Sequence, residues 1–333
     1  MSMHVETNNR KAFELVTEAL MDIDRYKHTK QKEQLELAKD KLEEAQGEDP
    51  KYMRALYYSA MVNDLIGKAA DAVEQFEKIL EENPPFIEEV RYNLGVAYYH
   101  RYSWKYLDQA ARHFQSVIDN TPDGDALNLL ARAGLAQTYA MRMIQPNPRE
   151  PNLEEAQKYF DLTRQQYELV SSGVEEANDL GAETLKEIRW ATSNARGMSL
   201  MYHSDYFGDK YDKESELRES LVELNEADKY SPENWANYCD LGSAHMRLGH
   251  WLGSNRDFNE ALRRLNKVVV SLRPNYGFAL YEMGRTYRLK GEFQKAIEYF
   301  DRALSINERY RDVSDRRVDI EKERAEKEEK EYP

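Results

Sequence analysis

One pattern recurs along this chain and limits what it can become: a small residue, a large apolar residue four positions on, a small or apolar residue seven on and a proline twelve on. Ala38, Leu42, Ala45 and Pro50 satisfy it, as do Ala72, Phe76, Ile79, Pro84 and Ala110, Phe114, Val117, Pro122. Ser220, Leu224, Ala227 and Pro232 give a further copy with serine in the small position. Looser copies run through Ala156, Phe160, Thr163, through Ala261, Leu265, Val268 with Pro274 one residue late, and through Ala296, Phe300, Ala303. Steps of four and seven place these residues on one face of an α-helix, and a following proline marks where that helix stops. Seven such segments in one chain predict an array of similar units.

A second pattern precedes most copies, in which a larger residue and a small one are followed, three positions after the small one, by an apolar or aromatic residue. Leu94-Gly95-Tyr98, Leu135-Ala136-Tyr139 and Met283-Gly284-Tyr287 are clear. Leu241-Gly242-His245, Asn194-Ala195-Met198 and Ser59-Ala60-Asn63 extend it. Gly67, Gly249 and Gly291 lie seven past the small residue, where a glycine is expected to let the chain reverse between antiparallel helices.

Together these motifs resemble the tetratricopeptide repeat (TPR), most completely from Gly277 to Asn307. Small residues on both helices of a pair let the backbones approach, and large apolar residues fill the space beside them. Each hairpin leaves an apolar face that the next must cover, so such units stack. The resemblance implies an all-α fold of antiparallel helix hairpins, stacked in a solenoid that is right-handed in that family. It spans about residues 7 to 308, with about seven repeats.

Successive small residues of the second helices lie 34, 38, 46, 64, 41 and 35 apart, against a family repeat of 34. The long steps hold three expected insertions: a Pro-rich loop at 143–152, a connection between long helices at 171–184, and an aromatic, turn-rich segment at 202–213. Because the repeat continues on both sides, residues 1–308 are expected to form one domain. Beyond it, 309–333 has few apolar positions apart from Val313, Val318 and Ile320, and many opposite charges at i,i+4. That segment is expected to be a charged, solvated capping helix that frays, or else a coiled-coil or partner-docking tail.

With 41% hydrophobic and 32% charged residues, the chain reads as a soluble protein. No window supplies the roughly eighteen uninterrupted apolar residues of a membrane span, and the first thirty residues lack a signal-like apolar stretch, so a cytoplasmic location is expected. The single Cys239 excludes an internal disulfide and a multi-thiolate metal site. A formal charge of −14 argues against nucleic-acid binding, which rests on clustered Lys and Arg. The seven histidines form no HExxH or i,i+4 pair, and no phosphate-loop, dinucleotide or nucleophile-elbow motif is present. No catalytic residue, metal ligand or cofactor is therefore assigned.

In the family it resembles, one stripe of each first helix lines a concave groove. Carried onto this chain, that stripe presents Tyr57, Tyr92, Asn93 and Tyr99 toward the N terminus. Toward the C terminus it presents Arg189, Arg196, Tyr281, Arg285 and Arg288, with Arg247 at the edge. Tyrosine offers rigid apolar area plus a hydroxyl, and arginine a bidentate donor for carboxylates. The expected ligand is an extended or helical segment of another protein, of acidic character. A carboxylate clamp for chaperone C termini is not expected: Asn93 fits its middle position, but Tyr57, Met61, Leu130 and Gly134 occupy the others. Three functions stay open: a non-enzymatic adaptor or scaffold, a structural protein that self-associates through its end repeats or the 202–213 segment, and a sensory regulator that binds a small ligand or signalling peptide.

Overall fold

The computed structural model describes residues 7–101, 104–144, 150–177, 180–274, 276–306 and 317–331. Among them lie fifteen α-helices and no strand. Residue packing divides the chain into two compact units, Met1–Ala131 and Arg132–Pro333.

Unit 1 holds the hairpins α1 (Arg10–Thr29) with α2 (Glu33–Glu48), α3 (Met53–Leu65) with α4 (Ala69–Glu81), and α5 (Ile87–His100) with α6 (Trp104–Asn120). The helix α7 (Ala126–Arg142) begins in this unit and ends in the next. Unit 2 continues with α8 (Leu153–Glu176), α9 (Ala182–Phe207), α10 (Lys213–Tyr230), α11 (Trp235–Leu252), α12 (Asn255–Lys267), α13 (Gly277–Leu289), α14 (Phe293–Ile306) and α15 (Arg317–Glu331). Asn9, Asn152, Asp212, Asn234 and Ser254 each cap a helix by accepting from a backbone N–H two or three residues on, which satisfies donors the helix itself leaves open.

The repeat residues form the core. Ala38, Leu42, Ala45, Ala72, Phe76, Ile79, Ala110, Phe114 and Val117 are buried in unit 1, and Ser220, Leu224, Ala227, Ala261, Leu265, Val268, Ala296, Phe300 and Ala303 in unit 2. Burying a phenylalanine such as Phe76 or Phe300 contributes roughly 1.5–3 kcal/mol. The late Pro274 also has a structural counterpart: the end of α12 widens into a π-helical turn over Val268–Leu272, which takes up the extra residue.

Three expectations about connections need correction. The connection expected at 171–184 does join two long helices but is shorter, because α8 runs to Glu176 and α9 starts at Ala182. The segment 202–213 is likewise not an excursion: α9 continues through Phe207, and Tyr202 and His203 are buried because the longer helix packs them against neighbours such as Phe160. Gly249 does not close a turn. It lies inside α11, where an added Cβ would stand 3.0 Å from Phe258, and the left-handed residue that ends the helix is Gly253, φ 64°. Gly67 and Gly291 do adopt left-handed φ. Of the expected Pro-rich loop, 145–149 lies outside the described residues, while Met143 and Ile144 are buried.

Candidate partner-binding face

In unit 1 the stripe positions of α3 meet those of α5. Arg54 donates to Glu89 at 2.6 Å while its guanidinium lies 3.7 Å from the ring centre of Phe86. Asn93 donates to the Tyr57 hydroxyl at 2.8 Å and to the Glu89 carbonyl at 3.0 Å, and His100 pairs with Asp64 at 2.7 Å. Tyr57 is buried edge-on among Tyr58, Phe76 and Phe86. Tyr92 and Tyr99 stay half-buried, beside Phe114 and His100. Asn93 and Tyr57 thus join neighbouring first helices, whereas Tyr92 packs against Phe114 of α6.

In unit 2 the register of α9 decides which residues reach the corresponding face. A Cβ on Gly197 would sit 2.6 Å from Leu224 of α10, as one on Gly242 would sit 2.7 Å from Leu265 of α12 and one on Gly284 2.5 Å from Phe300 of α14. Gly197, and not Ala195, is thus the close-approach residue of its hairpin, two residues later than the sequence pattern suggested. The shift turns Arg196 toward the partner helix, where it pairs with Glu219 at 2.6 Å and Glu223 at 3.3 Å and lies 4.5 Å from the Tyr167 ring. Arg189, exposed, stands 5.7 Å from the Tyr230 ring of α10. Neither joins the other basic site residues.

What the shifted register places on that face instead is Asn194 and Tyr202. Asn194 accepts from Gln137 of α7 at 3.0 Å and donates to Asp240 of α11 at 2.9 Å. One step along, Arg247 donates to Asp205 of α9 at 2.7 Å, and Glu282 of α13 lies 3.8 Å from it and 3.2 Å from Arg285. Arg247 is 6% exposed and Glu282 1%, so this ladder of acids and bases is buried where the sequence placed Arg247 at an edge. Burial pushes the Asp240 carboxyl up to about 7, with Glu282 adding to the rise and Asn194 and Arg247 opposing it. Burial also raises Asp205, but Arg247, Arg285 and Lys213 outweigh it and hold that carboxyl below its usual range. The thiol of Cys239 is raised by burial and by the nearby Asp240 and Glu282.

The face ends at α15. That helix packs on α14, as α11 packs on α10 and α13 on α12, and also touches α13. Val318, Ile320 and Ala325 are buried, the first and last in the same cluster as Tyr281 and Phe300. Arg288 donates to Glu321 at 2.9 Å and to Glu328 at 2.8 Å, and Lys322 pairs with Asp301 at 2.7 Å. The expectation of a solvated helix is corrected accordingly: charge pairing supplies the contact its few apolar residues cannot. Glu321 and Glu328, spaced by seven like Val318 and Ala325, are the site residues that sequence reasoning passed over. Tyr281, Arg247, Arg285 and Arg288 are brought together. Among the described residues no helix is long and apolar enough to cross a membrane.

Two family profiles, both described as tetratricopeptide repeat, match residues 54–85 and 233–309. Curated proteins gave no match. Among solved structures, a tetratricopeptide repeat protein from Parabacteroides merdae aligns over 95% of this chain and 99% of its own at 12% identity and a TM-score of 0.51. The TPR2AB domain of yeast Sti1 in complex with pHSP90 (16% identity, 95% and 98% coverage, TM-score 0.31) and the human IFIT1 dimer with PPP-AAAA (17%, 98% and 83%, TM-score 0.40) are more distant and carry no argument. Repeat profiles match in both units and each unit is built of helix hairpins, so the chain contains tetratricopeptide repeats at 54–85 and 233–309.

Proposed function

We propose that the chain is a non-catalytic, cytoplasmic adaptor that holds a helical or extended acidic segment of another protein on the unit 2 face formed by α9, α11 and α13. Arg285 and Arg288 are the residues assigned to that contact, with the buried Tyr281 and Arg247 supporting them from beneath. One observation carries the reading: Arg288 already receives two glutamates of an acidic helix, the chain's own α15. Repeat folds of this family serve mainly as interaction surfaces, and arginine in a half-buried setting suits carboxylate recognition. The test is affinity capture from the native source with the full chain and with Arg285→Glu/Arg288→Glu, both checked for helicity by circular dichroism. A protein retained by the wild type and lost by the folded variant supports the reading; an identical set of captured proteins contradicts it.

Self-association is a second reading, supported by a different observation. On α1, Phe13, Leu20 and Met21 remain exposed, at the end of the array where no earlier described hairpin covers them. Light scattering separates the two readings, since self-association requires a multimeric mass without any partner.

A further inference from the structure

The hold on α15 is unlike that on any other first helix of unit 2. Where α13 buries Phe278, Leu280, Tyr281 and Met283, α15 contributes only Val318, Ile320 and Ala325. Polar contacts add charge pairing, Glu321 and Glu328 on Arg288 and Lys322 on Asp301, with Gln294 of α14 donating to Glu329. Glu321 is 4% exposed and the Arg288 side chain 13%, so whatever lies here must bring a carboxylate to a largely desolvated guanidinium. An apolar or basic helix would leave that arginine buried without a counter-charge, which selects against it.

We propose that α15 is an exchangeable end cap, and that the α13/α14 face beneath it is a docking site for an acidic amphipathic helix of a partner protein. The inference rests on the reading above that Arg288 takes an acidic segment, and it adds the partner's form and a contact that extends from α13 onto α14. Counting from Val318, the chain's own helix spells out that form: aliphatic residues at positions 1 and 3, glutamate at 4 and 11, a small residue at 8. Joined to the same chain, α15 competes at a high effective concentration and keeps weak binders out. A partner helix with a larger apolar stripe and the same two glutamates displaces it. The intact chain is therefore self-capped, and its apparent affinity is lowered by the fraction of time the cap is seated.

The experiment uses a fluorescent peptide of residues 317–331 with three full-length proteins: wild type, Glu321→Gln/Glu328→Gln, and that variant with Arg288→Glu added. Circular dichroism checks folding, and hydrogen exchange over 317–331 reports whether the resident helix has been released. The expected result is peptide binding at least tenfold tighter to the Glu→Gln variant than to wild type, at one peptide per monomer, and lost when Arg288→Glu is added. Equal or absent binding, with exchange showing the resident helix released, overturns the proposal. So does a doubled mass without peptide uptake, which would make the occupant a second copy of this chain. If the peptide fails but a captured partner still depends on Arg285 and Arg288, the cap proposal falls and the adaptor reading stands.

Discussion

Arg288 of α13 donates to Glu321 of α15 across 2.9 Å, although 33 residues separate them in the chain and the carboxylate is almost fully buried. The contact ties an acidic segment with little apolar surface to the last hairpin of the array. It also displays, within one molecule, the chemistry that this face offers to others.

Arg288→Ala should free α15 before it unfolds unit 2. Glu321 would lose that pairing while keeping Arg324, whose side chain is 40% exposed. The loss is expected to be about 1–3 kcal/mol, confined to the terminal helix. Hydrogen exchange should quicken over 317–331 while α13 amides stay protected.

Stability should fall as pH rises through the range where Asp240 titrates. Its carboxyl is held up to about 7 in the folded protein, against about 4 when unfolded. Between those values the native state binds the extra proton, so the contribution is greatest near pH 4 and is lost by about pH 7. The groups around it are Asn194 of α9, itself bonded to Gln137 of α7, Arg247 of its own helix and Glu282 of α13. Asp240→Asn keeps an acceptor for Asn194 and removes the titration. The variant should differ from wild type least near pH 4 and gain on it by up to about 4 kcal/mol by pH 8, read by urea denaturation at the two pH values.

Gly284→Ala should destabilise unit 2 by about 1–3 kcal/mol, because the new methyl would meet the Phe300 ring at 2.5 Å in a filled core. Gly47→Ala, where a Cβ meets nothing within 4 Å, serves as the control. Denaturant midpoints for the two should differ in that order.

Cys239 should resist alkylation in the native protein. It is 2% exposed and its thiol is raised by burial, so little thiolate forms and reagent cannot reach it. Iodoacetamide labelling followed by mass spectrometry should show modification only after denaturant is added.

The second helices were legible in the sequence because each carries its small and large residues at fixed steps, and residues such as Leu42, Phe76 and Phe300 are buried where that spacing put them. The register of α9 was not. Arg196 stands where α5, α11 and α13 have Leu or Met, since Glu219 and Glu223 satisfy it, and Ala195 imitated the small residue that Gly197 provides. Reading Asn194 as the large residue placed Arg189 and Arg196 on the basic face, whereas the fold turns both toward α10. Gly249 misled for a related reason: α11 (18 residues) runs more than a turn longer than α13 (13 residues), which moves the left-handed residue to Gly253. The docking of α15 was hidden because pairing across 33 residues leaves only a local pattern of mixed charges, which reads as solvated surface.

A partner held on the unit 2 face of α9, α11 and α13 is read most directly by hydrogen exchange of the full chain with and without the protein captured on it. Slowed exchange is expected within 278–289 and in the facing parts of α9 and α11, abolished by Arg285→Glu/Arg288→Glu. Protection confined to α1 and α2, or unaffected by that substitution, would contradict it.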